Sequence, residues 1–219
     1  MMRTIALKGG SHIKPSERQT PSVLPDIIKN IAFMYVELGD TEGAIAAIKE
    51  ARLNNPSDVN LILTEANLYL KLDKKDKFKE LMEQAVQQDP TNSTLFFNLG
   101  VITAEQGDIA GAKKYYEKSL ELNSDDVNSN FNLAALILNE EATLVEEMNS
   151  LGTSSADNKK YDMLQEKRKL IYKEAKPYLE KILSIDAKNK SAAETLKGIY
   201  SVLGETAKFK EMKAVLELL

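Results

Sequence analysis

The chain has 219 residues, of which 43% are hydrophobic and 28% are charged, with a formal net charge of −4. This length allows one extended domain or two small ones, and the charge balance excludes the basic surface typical of nucleic-acid binding. The absence of cysteine excludes disulfides, thiolate catalysis and cysteine-ligated zinc. No apolar run reaches the roughly 18 residues that a membrane span needs, so we expect no membrane insertion.

The N-terminal segment, residues 1–24, matches no later part of the sequence. It is basic, and it holds the single histidine, His12, which has no acidic neighbours and is expected to be neither a metal ligand nor a base. It has no apolar core long enough for a secretory signal. We expect an upstream domain of the same protein to precede it, and whether the segment docks on the rest of the chain stays open.

From Pro25 onward the sequence repeats with a period of 34 residues. Small residues recur at Ala32, Ala66, Gly100 and Ala134. Apolar residues recur at intervals of three and four, and Gly-Asp pairs separate the helical segments, which predicts a helix, a tight turn and a second helix in each unit. Such a period is typical of stacked supersecondary units. The sequence therefore predicts an all-α fold of about five helix pairs, with units near 25–58, 59–92, 93–126, 127–189 and 190–219.

The recurring small residues are expected to lie where the two helices of a unit cross. A bulky side chain at such a position would push the pair apart, so substitution of Ala66 or Gly100 by leucine should destabilise the fold.

The fourth unit contains an insertion at about 140–170. Ser119 finds its counterpart at Ile182, an offset of 63 residues instead of 34. An apolar stripe continues through Leu144 and Met148, and the turn LGTSSADN offers Ser155 and Asp157 as helix N-caps. We expect a lengthened helical hairpin that projects about 15 Å as an arm. Its role stays open between a self-packed spur and a docking surface.

At its third unit the chain resembles the tetratricopeptide-repeat family. The resemblance rests on the set Phe96, Leu99, Gly100, Gly107, Ala112, Tyr116, Ser119 and Asn123, and the inserted stretch is similar to repeat proteins of Bacteroidetes bacteria. The family resemblance implies a right-handed helical solenoid that binds proteins or peptides and performs no catalysis. The Bacteroidetes similarity favours the cell envelope, although the chain itself does not fix the compartment.

The same resemblance implies that the first helix of each unit lines a concave groove. The positions that would face the groove are Asn30, Phe33, Leu63, Asn67, Phe97, Asn98, Val101, Phe131, Asn132 and Asn139. Asparagine is a poor helix former, and its amide can bond both donors and acceptors of an extended peptide, while the phenylalanine rings supply apolar contact. The alternative is that the asparagines bridge neighbouring helices and the rings belong to the core.

We find no candidate catalytic or metal site in the sequence. Acidic pairs such as Glu140–Glu141 are adjacent on a helix and cannot face each other, so they do not form an acid–base pair. The sequence therefore predicts a non-enzymatic scaffold without a cofactor that binds a protein or peptide. The alternative is a fixed subunit of a larger envelope assembly that uses the arm and the convex face.

Overall fold

The computed structural model describes residues 24–218, except for the side chains of residues 24–26 and 29. Ten α-helices make up this part of the chain, which agrees with the predicted all-α fold of five helix pairs. Their bounds are α1 Leu24–Glu37, α2 Thr41–Asn54, α3 Val59–Lys71, α4 Lys75–Gln88, α5 Ser93–Glu105, α6 Ile109–Leu122, α7 Val127–Asn149, α8 Ser155–Ile185, α9 Lys190–Leu203 and α10 Thr206–Glu217. The predicted N-terminal segment with His12 lies outside the described residues, apart from its last position.

Most helices begin at a side chain that caps free backbone N–H groups. The carboxylates of Asp40 and Asp108 accept from the amides of Gly43 and Gly111, at 2.8 and 2.9 Å. An N-cap of this kind stabilises a helix by about 1 kcal/mol because it satisfies an N–H that has no partner within the helix. These caps define where α2 and α6 begin.

In four of the five pairs, all except α7–α8, the turn reverses the chain with one residue of positive φ. Gly39, Gly107 and Gly204 have φ of 79°, 83° and 74°. In the second pair the equivalent position is Asp73, which adopts a φ of 55° although it lacks the conformational freedom of glycine. Aspartate tolerates this left-handed conformation better than most residues, so the turn keeps its shape without glycine.

Successive helices pack against each other along the whole stack. Within each pair the first helix contacts the second, and the second helix contacts the first helix of the next pair; α1 also contacts α3, and α5 contacts α7. Two clusters of buried side chains follow, one built from α1 to α5 and the other from α6 to α10. Each pair buries its apolar faces only with the help of its neighbours, as expected of a solenoid.

The recurring small residues are buried, and at Gly100 the predicted close approach of the paired helix is observed. Ala32, Ala66 and Ala134 are at most 1% exposed. A Cβ atom placed on Gly100 of α5 would lie 2.5 Å from the ring of Tyr116 on α6, closer than real Cβ atoms approach. Position 100 is therefore restricted to glycine by the aromatic ring that crosses it.

The fourth pair is longer than the others, because α7 has 23 residues and α8 has 31. The predicted N-caps of α8 were wrong: the cap is Ser154, and Asp157 is the third helical residue, which bonds back to the Ser154 backbone in a capping box. The helix also continues through Pro177. No helix over residues 24–218 has the length and apolar character to cross a membrane.

Candidate functional site

Ten positions define the candidate surface, which we call the first-helix face. It comprises Asn30, Phe33, Leu63, Asn67, Phe97, Asn98, Val101, Phe131, Asn132 and Asn139, all on α1, α3, α5 and α7. The 34-residue period arranges most of them in three columns: one holds Asn30, Asn98 and Asn132, one holds Leu63, Phe97 and Phe131, and one holds Phe33, Asn67 and Val101. Because α1 contacts α3 and α5 contacts α7, Phe33 and Asn67 lie on neighbouring helices, and so do Phe97 and Phe131. In the asparagine column, Thr64 of α3 occupies the position between Asn30 and Asn98.

Two aromatic rings of this face are open to solvent. Phe33 is 61% exposed and Phe131 is 40% exposed. Asn30, Asn67 and Asn139 are exposed as well, and the remaining members are half-buried. Exposed phenylalanine beside amide groups offers apolar area together with hydrogen-bond donors and acceptors.

Phe97 is shared between this face and the core. Its ring lies 6.1 Å from the ring of Tyr116, tilted by 43°, and both it and Val101 pack against the second core cluster. The sequence left open whether these aromatic rings line the groove or belong to the core. Phe97 does both, because it is half-buried and one side of it packs against the core cluster. Phe131, by contrast, keeps a larger exposed area.

Tyr116 connects the face to the interior. Burial raises the pKa of its phenol, and the neighbouring side chain of Asn132 on the first-helix face partly offsets that rise.

Asn139 lies further along α7, at a separate cavity. This cavity of about 560 Å³ is lined by Leu138, Asn139, Glu141, Ala142, Val145, Glu146 and Asn149. Glu141 accepts hydrogen bonds from Arg168 Nε at 2.6 Å and from the Tyr172 hydroxyl at 2.5 Å. Burial, followed by the Glu141 carboxylate, raises the pKa of Tyr172 to about 12.

The Glu141–Arg168–Tyr172 cluster was not predicted from the sequence. Glu141 lies on α7, 27 residues before Arg168 and 31 residues before Tyr172, which both lie on α8. The length of the hairpin between them determines which side chains meet. A count of residues along two antiparallel helices could have suggested the contact only once the turn at Ser154 was located.

A second unpredicted cluster joins α2, α3 and α4. Glu65 is 3% exposed and pairs with Arg52, whose other terminal nitrogen donates to Gln84 at 2.9 Å. The Glu65 carboxylate can lie within the apolar stripe of α3 because the Arg52 guanidinium offsets the free-energy cost of burying its charge. The one sequence signal was an acidic residue at a position where the apolar period expects a hydrophobic side chain.

The α7–α8 hairpin carries its own exposed apolar side chains. On α8, Tyr161 is 42% exposed, and Met163 and Leu170 are each 62% exposed. Leu170 lines a cavity of about 590 Å³ with Glu140, Thr143, Leu144, Lys167, Ile171 and Glu174. Among residues 24–218 no three His, Cys, Asp or Glu side chains are grouped so that they could hold a metal ion.

Comparison with protein-family models gives two matches, which together cover residues 35–126. Two family models, both described as tetratricopeptide repeat, match residues 35–99 and 93–126. Protein O-mannosyl-transferase TMTC1 of Mus musculus is 34% identical over 97 residues. That match covers 42% of this chain and 10% of the mouse protein, so the chain corresponds to a small part of it.

Solved structures share the fold over most of the chain. The MamA protein aligns with a TM-score of 0.61 and 19% identity, over 89% of this chain and 91% of MamA. YrrB, described as a TPR protein with an unusual peptide-binding site, aligns with a TM-score of 0.58 and 18% identity, over 86% and 82%. A putative protein binding protein from Bacteroides ovatus aligns with a TM-score of 0.59 and 19% identity, over 83% and 98%.

Proposed function

We propose that this chain, whose residues 35–126 match tetratricopeptide-repeat models, is a non-enzymatic protein-interaction scaffold of that family. Its first-helix face would bind an extended segment of a protein partner. The observation that carries the proposal is the exposure of the Phe33 and Phe131 rings beside the asparagine side chains of the first-helix face. The descriptions of YrrB and of the Bacteroides ovatus protein, which name peptide and protein binding, support the same class of function.

The chemistry of the face favours a peptide backbone over a charged ligand. The ten members of the face are asparagine, phenylalanine, leucine and valine, and none carries a charge; Lys29 of α1 is the one charged residue at the equivalent positions of the three columns. Amide side chains can donate to peptide carbonyls and accept from peptide N–H groups, so they bind an extended strand without requiring a particular sequence. The rings then select apolar side chains on the bound segment.

The test is selection of peptides from a phage-displayed random library on the purified chain. Selected peptides are then titrated against Phe131→Ser and Asn67→Ala by fluorescence anisotropy. Loss of an aromatic anchor costs about 2 kcal/mol, so Phe131→Ser should weaken binding about 30-fold. Asn67→Ala should weaken it less, because one hydrogen bond contributes about 1 kcal/mol.

The matched control is Leu170→Ser, which removes an exposed apolar side chain on another surface. It should leave peptide affinity unchanged. Selected peptides that bind Phe131→Ser as well as the parent chain would refute the proposed face. Circular dichroism verifies that each variant folds.

A second candidate function has its own supporting observation. The exposed Met163 and Leu170 on α8 favour a permanent contact between the α7–α8 hairpin and another subunit of an assembly. The same titrations separate the two candidates. If Leu170→Ser abolishes binding of the selected peptides and Phe131→Ser does not, the hairpin is the binding surface.

A further inference from the structure

The outer face of α1 is apolar and exposed at the N-terminal end of the stack. It consists of Ile27, Ile31 and Met34, which are 50%, 41% and 63% exposed. These residues follow one another at intervals of four and three, so they form a single stripe on the helix. The stripe differs from the first-helix face, to which Phe33 of the same helix belongs.

The equivalent stripes of the next three first helices are buried. Moving the three positions by 34 residues each time gives Leu61, Glu65 and Leu68 on α3, then Leu95, Leu99 and Ile102 on α5, then Ser129, Leu133 and Leu136 on α7, all at most 6% exposed. In each case the second helix of the preceding pair, α2, α4 or α6, packs against the first helix concerned. The outer face of α1 thus continues the interface between pairs, with its covering helix absent from the described residues.

The stripe of α5 shows which kind of helix fits. Like the α1 stripe it is wholly aliphatic, whereas α3 places Glu65 there and α7 places Ser129. The helix that packs on α5 is α4, whose Met82, Ala85 and Val86 lie in the same hydrophobic cluster as Leu95, Leu99 and Ile102. An amphipathic helix with small and flexible apolar side chains is therefore the matching partner.

A second copy of the chain does not offer such a helix at its other end. The positions of α10 that correspond to Met82, Ala85 and Val86 are Lys213, Leu216 and Glu217. The side chains of Lys213 and Glu217 are 65% and 68% exposed. Terminal units with a polar outer face cap a solenoid. Head-to-tail stacking of copies would bury these two charges against an aliphatic stripe, which is unfavourable.

The chain's own N-terminal sequence does not repeat the pattern of a covering helix. Thirty-four residues before the buried Ala44, Ile45, Ile48 and Ala51 of α2 stand Gly10, Ser11, Lys14 and Glu17. These residues supply no apolar stripe at helical spacing.

We propose that the outer face of α1 binds one amphipathic helix of a partner protein, in the way that α5 binds α4. The chain would then interact with partners through two separate surfaces: the first-helix face binds an extended segment, and the end of the stack binds a helix. The second surface does not depend on the first.

The test uses a fluorescent peptide with the sequence of residues 75–92, which contains α4. A hydrocarbon staple between positions 80 and 87 holds it helical; both positions are exposed in α4, on the side opposite Met82. The peptide is titrated against the full chain, against Ile31→Glu and against Phe33→Glu. Burial of a carboxylate in the interface should weaken binding by at least about tenfold for Ile31→Glu. Phe33→Glu places the same charge on the same helix and should bind like the parent chain.

Four results would overturn the proposal. The stapled peptide does not bind, or it binds Ile31→Glu as tightly as the parent, or light scattering shows a dimer that Ile31→Glu dissociates, in which case the face joins two copies. Binding that is detected only after deletion of residues 1–23 would assign the face to that segment. Phe33→Glu separates this proposal from the proposed function, because Phe33 is part of the first-helix face alone.

Discussion

Gly100 and Gly198 are two glycines inside first helices with opposite surroundings. A Cβ on Gly100 would lie 2.5 Å from the Tyr116 ring, whereas a Cβ on Gly198 meets no atom within 4 Å. Gly100→Ala should therefore lower the free energy of unfolding by about 1–3 kcal/mol through overpacking. Gly198→Ala should raise it by about 0.4–1 kcal/mol, because alanine restricts the unfolded chain at a helical position. Urea denaturation measures both.

Changes of the same sign at the two glycines would contradict this explanation. The pair also shows what the sequence could predict for single residues. The period identified position 100 as a crossing, but it did not identify Tyr116 as the side chain that fills the space. Likewise it placed Glu65 on an apolar stripe without revealing its partner Arg52, 13 residues away on another helix. A period assigns a residue to a face; contacts across helices depend on turns and rotamers.

Pairs of helices are held together by polar clusters as well as by apolar faces. In the α7–α8 hairpin, the Tyr172 hydroxyl donates to Glu141 and accepts from Arg168 Nη2 at 2.8 Å. The raised pKa of Tyr172, from its usual 10.0 to about 12, means that the folded state keeps the phenolic proton to a higher pH than the unfolded chain. The stabilisation is fully present below pH 10 and is lost as the pH rises from about 10 to about 12.

Tyr172→Phe should therefore make the hairpin less sensitive to alkaline pH. At pH 7 the variant should be less stable by about 1 kcal/mol, because one buried hydrogen-bond donor is lost. Between pH 10 and 12 its stability should fall less steeply than that of the parent chain, as measured by thermal unfolding at a series of pH values. Tyr161→Phe, which changes an exposed tyrosine of the same helix, is the control. Equal slopes for parent and Tyr172→Phe would show that the phenol does not carry the effect.

At the scale of elements, the sequence predicted helix pairs better than helix ends. The 34-residue period and the Gly-Asp turns indicated where most pairs begin. In the insertion the period was lost, and three neighbouring residues, Ser154, Ser155 and Asp157, could each cap a helix. The capping box chose Ser154 because Asp157, three residues on, can bond back to it. Pro177 would usually end a helix, because proline removes a backbone hydrogen bond, yet α8 continues past it. Ala175 before the proline and Leu179 and Ile182 after it are buried, and their packing compensates the lost hydrogen bond.

Residues 24–218 form a one-dimensional stack, so stability should vary along this part of the chain. Within it, inner helices contact neighbouring helices on both sides, whereas α1 and α10 contact them on one side. The imbalance is larger for α1, because its outer face leaves Ile27, Ile31 and Met34 exposed, while α10 presents charged residues there. In such arrays local opening starts at the ends and needs less free energy than global unfolding.

Hydrogen exchange followed by mass spectrometry should show this gradient. We expect amides of α1 to exchange fastest, those of α10 next, and those of α5 to α9 slowest, with protection factors that differ by at least about tenfold between α1 and α5. The stapled helix of residues 75–92 should slow exchange in α1 when it is added in excess, because a ligand that binds only the folded helix stabilises it by mass action. It should leave α9 unchanged, since that helix already has both neighbours. Uniform exchange over all ten helices would instead mean that the stack unfolds as one cooperative unit, and protection of α9 but not α1 would place the peptide on another surface.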